Sequence, residues 1–356
     1  MAKRRGSGRP TINDVARKAD VSAITVSRAL RTPAQVSEEL RERIAAAIDA
    51  LNYVPDPKAR ALASGQTHVI GVLVPSLSNI VFIDTLRAIH DAVAGTDYQI
   101  QFGNTRYSQE EEDRLISLFV GQGPAAIILT GVDQSESSRQ LLSESRLPVV
   151  QIMEIAPDPI DMMVGFSHDR AAEAAVLHLI ASGYTRIGIL AARMDPRVGR
   201  RLEGFRRALT AHGLYSSERV ITTRERTSAG LGRTLMRRLL KADPETDAVF
   251  CINDDLALGA LFECQARGIR VPDQMGIAGF NDLEMMAAAE PSLTSVRTQR
   301  YEMGRRAIEL IRQRLERKVM ERTVLDLGFE LMKRDSTKRR AAQRLPSGPQ
   351  RTETGG

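Results

Sequence analysis

The chain has 356 residues, of which 42% are hydrophobic, so it is long and apolar enough for two or three globular domains. Its two cysteines, Cys251 and Cys264, form no CxxC pair, which argues against a disulfide framework and a zinc site. The formal net charge is +6, and residues 1–31 hold eight lysines and arginines against two aspartates, a difference that equals the whole excess. This asymmetry is typical of a small nucleic-acid-binding module joined to a near-neutral body.

The N-terminal segment carries no sign of export. The basic residues of segment 1–10 are not followed by an apolar stretch, and no run of about 18 apolar residues occurs in the chain. We therefore expect a cytoplasmic protein without a membrane partner, in which residues 1–10 form a flexible basic arm.

Residues 11–54 have the pattern of three short helices. Thr11 and Ser22 are expected to cap the first two, separated by a brief break at residues 20–21, and Ser37 to cap the third. The apolar residues expected to form the shared core recur at helical spacing: they are Ile12, Val15, Ala16, Ala19, Val26, Ala29, Leu30, Leu40, Ile44, Ile48 and Leu51. This pattern predicts an all-α helix-turn-helix headpiece.

Segment 55–68 is predicted to be a hinge helix and linker. Asp56 can cap a helix there, and Pro57 suits its first position. A helix of about two turns is marginal by itself in water. It therefore needs a partner, either a second copy of itself or DNA.

Residues 69–337 alternate buried apolar runs with amphipathic helices. The runs are "VIGVLVP", "YQIQFGN", "AAIILTG", "VVQIM", "RIGILAA", "AVFCIND" and "MGIAGF". Buried strands separated by helices predict an α/β core with parallel sheets. We expect two subdomains of the periplasmic-binding-protein type: lobe 1 from about 69–165 and 296–323, and lobe 2 from about 166–295 and 324–337.

Two further expectations follow from this organisation. Ligands of such folds bind at the carboxyl ends of the strands, so a cleft between the lobes is the expected site. Residues 338–356 lack apolar periodicity and are expected to form a disordered tail. No leucine heptads follow the core, so nothing favours a coiled-coil tetramer.

Together these motifs resemble the lac/gal repressor family of bacterial transcription regulators over nearly the whole chain. The headpiece motif is "TINDVARKADVSAITVSRAL", followed by "VSEELRERIAAAIDALNYVPDPKARALA". The core motifs "IGVLVPSLSN", "GFSHDRAA", "INDDLALGAL", "RGIRVPDQMGIAGFND" and "PSLTSV" follow in family order. Within the family, "LRTPAQVS", "GVLVPSLSNIVF" and "LDLGFEL" are most similar to repressors of gluconate-utilisation genes.

The resemblance implies a homodimer that reads a pseudo-palindromic operator, with residues 22–30 as recognition helix. The residues it assigns to DNA binding are Thr11, Ser22, Ala23, Ile24, Thr25, Ser27, Arg28, and, in the hinge helix, Ala59 and Leu62. The hydroxyls suit phosphate oxygens, and Arg28 suits guanine O6 and N7. Ala23 and Ile24 can offer only apolar contact, most readily to a thymine methyl; alternatively, Ile24 packs back onto the headpiece.

The resemblance also implies a small-molecule effector in the cleft. The contacts it assigns are Asn79, Phe82, Phe166, Arg193, Arg197, Arg201, Asn253, Asp254, Asn281 and Arg300. Asn281 stands where the family commonly has aspartate, which removes a negative charge from the site. Together with the arginines this favours an anionic ligand such as gluconate, since a guanidinium binds a carboxylate bidentately. The alternative for the arginines is solvated charge on a helix edge.

Other functions find little support in the sequence. It has no G-x-G-x-x-G after a strand, no P-loop and no G-x-S-x-G elbow, so we expect neither an enzyme nor a cofactor. The histidines show no ligand spacing, so we expect no metal. Three alternatives remain: a family member for another sugar, a regulator whose ligand strengthens DNA binding, and a sugar-binding protein that does not bind DNA.

Overall fold

The computed structural model describes residues 10–54 and 67–339. The expectations for the arm before residue 10, for residues 55–66 with Ala59 and Leu62, and for the tail after residue 339 lie outside the described residues. The chain divides between His68 and Val69 into two compact units.

The first unit consists, in its described part, of three α-helices. They are α1 (Ile12–Lys18), α2 (Ala23–Arg31) and α3 (Glu38–Leu51). Their buried core residues are Val15, Ala16, Ala19, Val26, Ile44, Ala47 and Tyr53. The predicted all-α headpiece is confirmed.

The helix ends follow from local chemistry. The Thr11 main-chain N–H and hydroxyl both donate to the Asp14 carboxylate, which closes a capping box at the start of α1. The Ser22 hydroxyl accepts from the Thr25 N–H at 3.1 Å and caps α2. Asp20, in the turn between these helices, adopts the left-handed conformation with φ of 52°. The expected core position of Leu30 is wrong, because Leu30 is 41% exposed in the last turn of α2, where the core no longer covers it.

The second unit contains two sheets, each of six strands in the described residues. The first sheet has the spatial order β11 (Val324–Asp326), β5 (Met162–Gly165), β4 (Val149–Ile152), β3 (Ala126–Thr130), β1 (Val69–Val74) and β2 (Gln99–Asn104). The second has the order β12 (Phe329–Met332), β10 (Thr294–Thr298), β9 (Gly276–Asn281), β8 (Ala248–Cys251), β6 (Ile187–Ala191) and β7 (Val220–Thr222). All pairs are parallel except β10 with β12.

The seven apolar runs of the sequence all form strands, most of them fully buried. Strand β2 lies at an edge of its sheet and is largely exposed. The helices of this unit are α4 (Ile83–Val93), α5 (Gln109–Gln122), α6 (Glu136–Ser145), α7 (His168–Ala181), α8 (Pro196–Ala211), α9 (Ala229–Ala242), α10 (Asp254–Ala266), α11 (Glu284–Ala288) and α12 (Arg300–Leu315). The predicted α/β core with two parallel-sheet subdomains is confirmed.

The chain passes between the two lobes after β5, after β10 and after β11. The first lobe therefore holds residues 69–165 and 300–326, and the second holds residues 167–298 and 329–337. The sequence predicted that the chain returns to the first lobe at about residue 296 and to the second lobe at about residue 324. In the structure both crossings lie a few residues later. The reason is strand pairing: β10 completes its parallel ladder with β9, and β11 its ladder with β5, before the chain leaves each sheet. In the described part of the chain, no helix combines the length and apolarity needed to cross a membrane.

Candidate functional site

The outward surface of α2 is one candidate site. Ile24 is 69% exposed, so the alternative in which it packs onto the headpiece is wrong. Ala23 is only partly exposed and packs against the headpiece core. Ile24 is thus the main apolar group that α2 presents to solvent in its first turn.

The polar residues of α2 surround Ile24. Ser22 and Arg28 are exposed, and Thr25 and Ser27 are half-buried. The Ser22 and Thr25 hydroxyls lie 2.8 Å apart and share a hydrogen bond. No described residue forms an ion pair with the Arg28 guanidinium, whereas Arg17 on α1 is paired with Asp14 at 2.9 Å. Arg28 is therefore free to bind an external acceptor.

The other candidate site is a cavity between the lobes of the second unit. It holds about 600 Å³ of empty space, part of it open to solvent. Its walls come from the segments that follow the carboxyl ends of strands in both sheets, as expected for parallel α/β folds. Eight of the ten predicted effector contacts line it: Asn79, Phe82, Phe166, Arg193, Arg197, Arg201, Asn253 and Asn281.

Arg201 is held rigidly in the cavity wall. Its guanidinium donates to the Ile252 carbonyl and to His168 Nδ1, and lies 3.8 Å over the Phe280 ring centroid. Burial lowers the pKa of Arg201 to about 10, which still leaves it cationic at neutral pH. The remaining N–H groups of this guanidinium form a preorganised donor set.

His168 is a neutral partner of Arg201. Its Nε2 lies 2.9 Å from the Met153 carbonyl, to which an Nε2–H donates, so Nδ1 is left to accept from Arg201. Burial, and then the nearby Arg201 charge, hold the pKa of His168 well below its ordinary value. His168 therefore adds no positive charge to the cavity.

Arg193 and Arg197 reach across the cavity to aromatic side chains of the first lobe. Arg193 lies 3.9 Å over the Tyr107 ring centroid, and Arg197 lies 5.9 Å from the ring centroids of Tyr107 and Phe82. Arg197 also pairs with Asp195 at 3.1 Å. Burial acts to raise the pKa of Asp195, but the charges of Arg197 and Arg201 and the hydrogen bonds from the Val198 N–H and Arg197 together keep that pKa below its usual value.

The asparagines supply neutral polar groups. Asn79 Nδ2 donates to the Tyr107 hydroxyl at 3.0 Å. Asn253 caps α10 by accepting from the Leu256 N–H at 3.1 Å, which leaves its amide nitrogen as a donor. Asn281 adopts φ of 113°, a conformation that favours glycine, and ends β9 at the cavity edge. With three arginines against one aspartate, the lining carries a net positive charge.

Glu154 lies behind the cavity wall. Its side chain is 2% exposed, and its Oε2 accepts no hydrogen bond within the described chain. The nearest cation is Arg200, whose Nη1 lies 3.5 Å from Oε2. Burial raises the pKa of Glu154 to about 7, against the opposing effect of Arg200. Gly165 permits this packing, since a Cβ there would lie 2.1 Å from the Glu154 carbonyl oxygen.

Two predicted contacts do not line the cavity. Asp254 is fully buried, and its carboxylate accepts from the Leu283 N–H at 2.7 Å and the Ser295 hydroxyl at 2.6 Å. Arg300 lies at the start of α12, where it donates to the Asp84 carboxylate and the Asn281 carbonyl. Both predictions are corrected, because each side chain is satisfied inside the protein and holds neighbouring segments together.

Sequence reasoning missed ten residues of the lining, among them Tyr107, Asp195 and His168. Asp195 had a detectable signal, because an Asp-Pro pair ahead of a helix indicates a cap, and Asp195 does cap α8. Tyr107 had none, since it depends on two successive left-handed residues, Arg106 and Tyr107 with φ of 55° and 60°. In the part of the chain that the structure describes, no cluster of three or more histidine, cysteine or carboxylate side chains is arranged to hold a metal.

A helix-turn-helix unit, followed by a two-lobed unit with an interlobe cavity, defines the class of a DNA-binding transcriptional regulator. Residues 11–56 match the "Bacterial regulatory proteins, lacI family", and residues 176–337 match the "Periplasmic binding protein-like domain". The chain belongs to the lacI family of bacterial transcriptional regulators, because relatives more than 30% identical match it over nearly its whole length.

Three relatives illustrate the match. The "HTH-type transcriptional regulator GntR" of Pseudomonas aeruginosa is 45% identical over 94% of this chain and 97% of that protein. A LacI-family transcriptional regulator of Silicibacter pomeroyi superposes with a TM-score of 0.85 at 34% identity, over 93% of this chain and 100% of the other. The transcription regulator GntR of Chromobacterium violaceum gives a TM-score of 0.73 at 38% identity, over 76% of this chain and 99% of the other.

Proposed function

We propose that this lacI-family regulator is a dimeric repressor of sugar-acid utilisation genes. In this proposal a small carbohydrate acid, gluconate or a close relative, binds in the interlobe cavity and releases the protein from its operator. The observation that carries the proposal is the convergence of Arg193, Arg197 and Arg201 on one cavity whose lining holds a single carboxylate, Asp195.

Charge and hydrogen bonding both support an anionic polyhydroxylated ligand. A carboxylate gains roughly 1.5–3 kcal/mol from one charge-assisted bidentate pair, and Arg201 is already oriented to form it. The hydroxyls of the ligand find acceptors and donors in Asp195, Asn253 and Asn281. A neutral sugar would use only the hydrogen-bonding groups of Asp195, Asn253 and Asn281, and would gain nothing from a charge-assisted pair with Arg201. The motifs that resemble repressors of gluconate-utilisation genes agree with this assignment.

On the DNA side, we assign recognition to α2. Arg28 is exposed and is proposed to bind guanine bidentately, and Ile24 is proposed to contact a thymine methyl in the major groove. Ser22, Thr25, Ser27 and Thr11 are proposed to bind phosphates. The assignments to Ala59 and Leu62, proposed to lie in the minor groove, concern residues outside the described range.

The link between the two sites is a shift between lobe arrangements. The cavity is lined by both lobes, so a bound ligand stabilises one arrangement over another. A coupling of about 1–3 kcal/mol would change operator affinity by 5- to 150-fold.

Titration calorimetry on the purified chain tests the ligand. We expect saturable heat with gluconate and none with ribose, lactose or hypoxanthine. Saturable heat with a neutral sugar or the purine, without any heat from gluconate, would refute the sugar-acid assignment.

An electrophoretic shift assay with the protein's own upstream DNA tests the sign of the coupling. We expect gluconate to weaken the shifted complex. A regulator whose ligand acts as corepressor would show a stronger complex instead, and that result would overturn release as the mechanism.

A further inference from the structure

A second cavity lies beside the first. It holds about 490 Å³ of empty space, part of it open to solvent, and the proposed function makes no use of it. Tyr107, Asp195 and Arg197 line both cavities and form the partition between them. The two spaces are therefore adjacent.

The walls of the second cavity are rich in hydrogen-bonding groups. Hydroxyls come from Thr105, Ser108 and Thr130, and amides from Gln109 and Gln134. These residues lie at the carboxyl ends of β2 and β3 and at the start of α5, where ligands of parallel sheets bind. Many donors and acceptors around a modest space suit a sugar ring, which carries a hydroxyl on most of its carbons.

The charges of the second cavity are opposite to those of the first. Its lining includes Asp133, Asp195 and Glu112 against Arg197 alone. Asp133 is bound bidentately by Arg200, and Asp195 is paired with Arg197. Among the described residues, the hydrogen-bond partners of the Glu112 carboxylate are both amides, Gln109 Nε2 at 3.2 Å and Gln134 Nε2 at 3.4 Å. Its carboxylate thus accepts hydrogen bonds from a ligand's hydroxyls and repels a second anion.

Tyr107 in the partition responds to an anion in the first cavity. Its ring is held by the guanidinium of Arg193 at 3.9 Å, and its hydroxyl accepts from Asn79. A carboxylate that recruits Arg193 and Arg197 competes with these ring contacts. Occupation of the first cavity by such a carboxylate would weaken the contacts that hold Tyr107 in the partition.

We propose that the second cavity is a subsite for a further sugar unit, so that the chain binds aldobionic acids, in which a sugar acid carries one glycosyl substituent. The acid end occupies the first cavity among Arg193, Arg197 and Arg201, and the glycosyl ring occupies the second, with its hydroxyls donating to Glu112. This assignment rests on the proposed function, because the first cavity must hold the acid end.

Calorimetry with three acids on the full-length protein tests the subsite. Lactobionate, which is gluconate bearing a galactosyl group, is expected to bind roughly tenfold or more tightly than gluconate, since hydroxyls of its second ring gain a bond to a charged acceptor. 6-Phosphogluconate, with an anion at the far end, is expected to bind more weakly than gluconate.

Variants of α5 assign the effect to this cavity. Glu112→Gln is expected to reduce lactobionate affinity by roughly tenfold and to leave gluconate affinity unchanged. Gln109→Trp, at the exposed start of α5, is expected to block lactobionate in the same selective way. Glu110→Gln is the matched control, because Glu110 is exposed on the same turn and lines neither cavity.

The outcomes separate this inference from the proposed function. If gluconate binds and lactobionate binds no tighter, the subsite is refuted and the functional proposal stands. Equal lactobionate affinity in Glu112→Gln, Gln109→Trp and Glu110→Gln would also refute it, since the gain would then arise elsewhere. If gluconate gives no heat, the functional proposal itself has failed.

Discussion

Both candidate sites of this protein depend on an arginine, but one arginine is exposed to solvent and the other is buried. Arg28 on α2 is exposed and has no ion-pair partner among the described residues, whereas Arg201 on α8 is buried and held by Ile252 and His168. The exposed guanidinium keeps its hydration and its rotamer freedom until it meets DNA. The buried one has already lost both, at a cost met by the folding of the core.

The two sites should therefore respond differently to ionic strength. Contacts of exposed cations with phosphates are screened by salt, so binding at α2 should weaken steeply with ionic strength. A guanidinium in a buried wall is screened much less and is preorganised for its ligand. Operator binding should therefore depend on salt far more than effector binding does.

The largest expected effect is that of Arg201→Met. Loss of the guanidinium removes a bidentate carboxylate partner and leaves the Ile252 carbonyl and His168 Nδ1 without their donor. We expect gluconate affinity to fall by roughly 10- to 150-fold and the free energy of unfolding to fall by about 1–3 kcal/mol. Calorimetry and urea denaturation measure the two effects separately.

Arg206→Met is the matched control for this prediction. Arg206 lies on the same helix but is exposed and, among the residues that the structure describes, is paired with Glu203 alone, so both quantities should stay within about 0.5 kcal/mol of wild type. Undiminished gluconate binding by Arg201→Met would show that the buried arginine is structural only.

Arg28→Ala tests the role of the exposed arginine on α2 in operator binding. Loss of a bidentate guanine contact should weaken operator binding by roughly 5- to 150-fold, corresponding to about 1–3 kcal/mol. Stability should be unchanged, because the Arg28 side chain is exposed. Fluorescence anisotropy with operator and scrambled DNA measures both affinity and discrimination.

Arg41→Ala provides the comparison variant, since Arg41 is an exposed cation on α3 of the same unit. It should lower affinity for both DNAs slightly and equally, through charge alone. If Arg28→Ala behaves in the same way, Arg28 acts by charge and does not read a base.

The two sites also differ in how far the sequence predicted them. The exposed face of α2 follows from helical period and capping, which are local, and only Leu30 at the helix end was misplaced. The eight cavity residues were assigned through the resemblance to the lac/gal repressor family, and the rule that ligands lie at strand carboxyl ends gave only the cleft in which they meet. Arg300 was misassigned because its partner Asp84 is 216 positions away, a contact that only the folded chain creates.

Ile24→Gln tests whether the exposed side chain of Ile24 contributes to base recognition. Ile24 is 69% exposed, so the change should leave the free energy of unfolding within about 0.5 kcal/mol. It should shift the preferred base at one half-site position, because glutamine bonds adenine and cannot offer the apolar contact that a thymine methyl favours. Selection from randomised operators measures the shift, and Ile24→Val should keep the wild-type preference. An unchanged preference in Ile24→Gln would remove this residue from base readout.

The smallest expected effect is a pH dependence of effector binding through Glu154. Burial raises the pKa of this carboxyl to about 7, so part of the population is protonated at neutral pH. A bound carboxylate nearby disfavours a second negative charge and raises that pKa further, so binding takes up a proton. The sign follows: affinity for gluconate should fall as pH rises from 6 to 8, by roughly fivefold if the pKa rises by one unit.

Neither His168 nor Arg201 obscures this dependence. His168 stays neutral across the interval, since burial and the Arg201 charge hold its pKa well below 6.5, and Arg201 stays charged with a pKa of about 10. Glu154→Gln should therefore flatten the dependence of gluconate affinity on pH.

Asp254 also has a pKa raised to about 7 by burial, but its carboxylate accepts hydrogen bonds from Leu283 and Ser295 and does not line the cavity. Its titration should lower stability as pH rises through 7 without altering proton uptake on binding. Calorimetry in two buffers of different ionisation enthalpy counts the protons taken up. If Glu154→Gln still takes up a proton on binding gluconate, another group is the one that titrates. If the uptake is lost, Glu154 is the titrating group, and a buried residue that does not touch the ligand affects binding through its charge. Among its described residues, the exposed surface of α2 offers no such buried group.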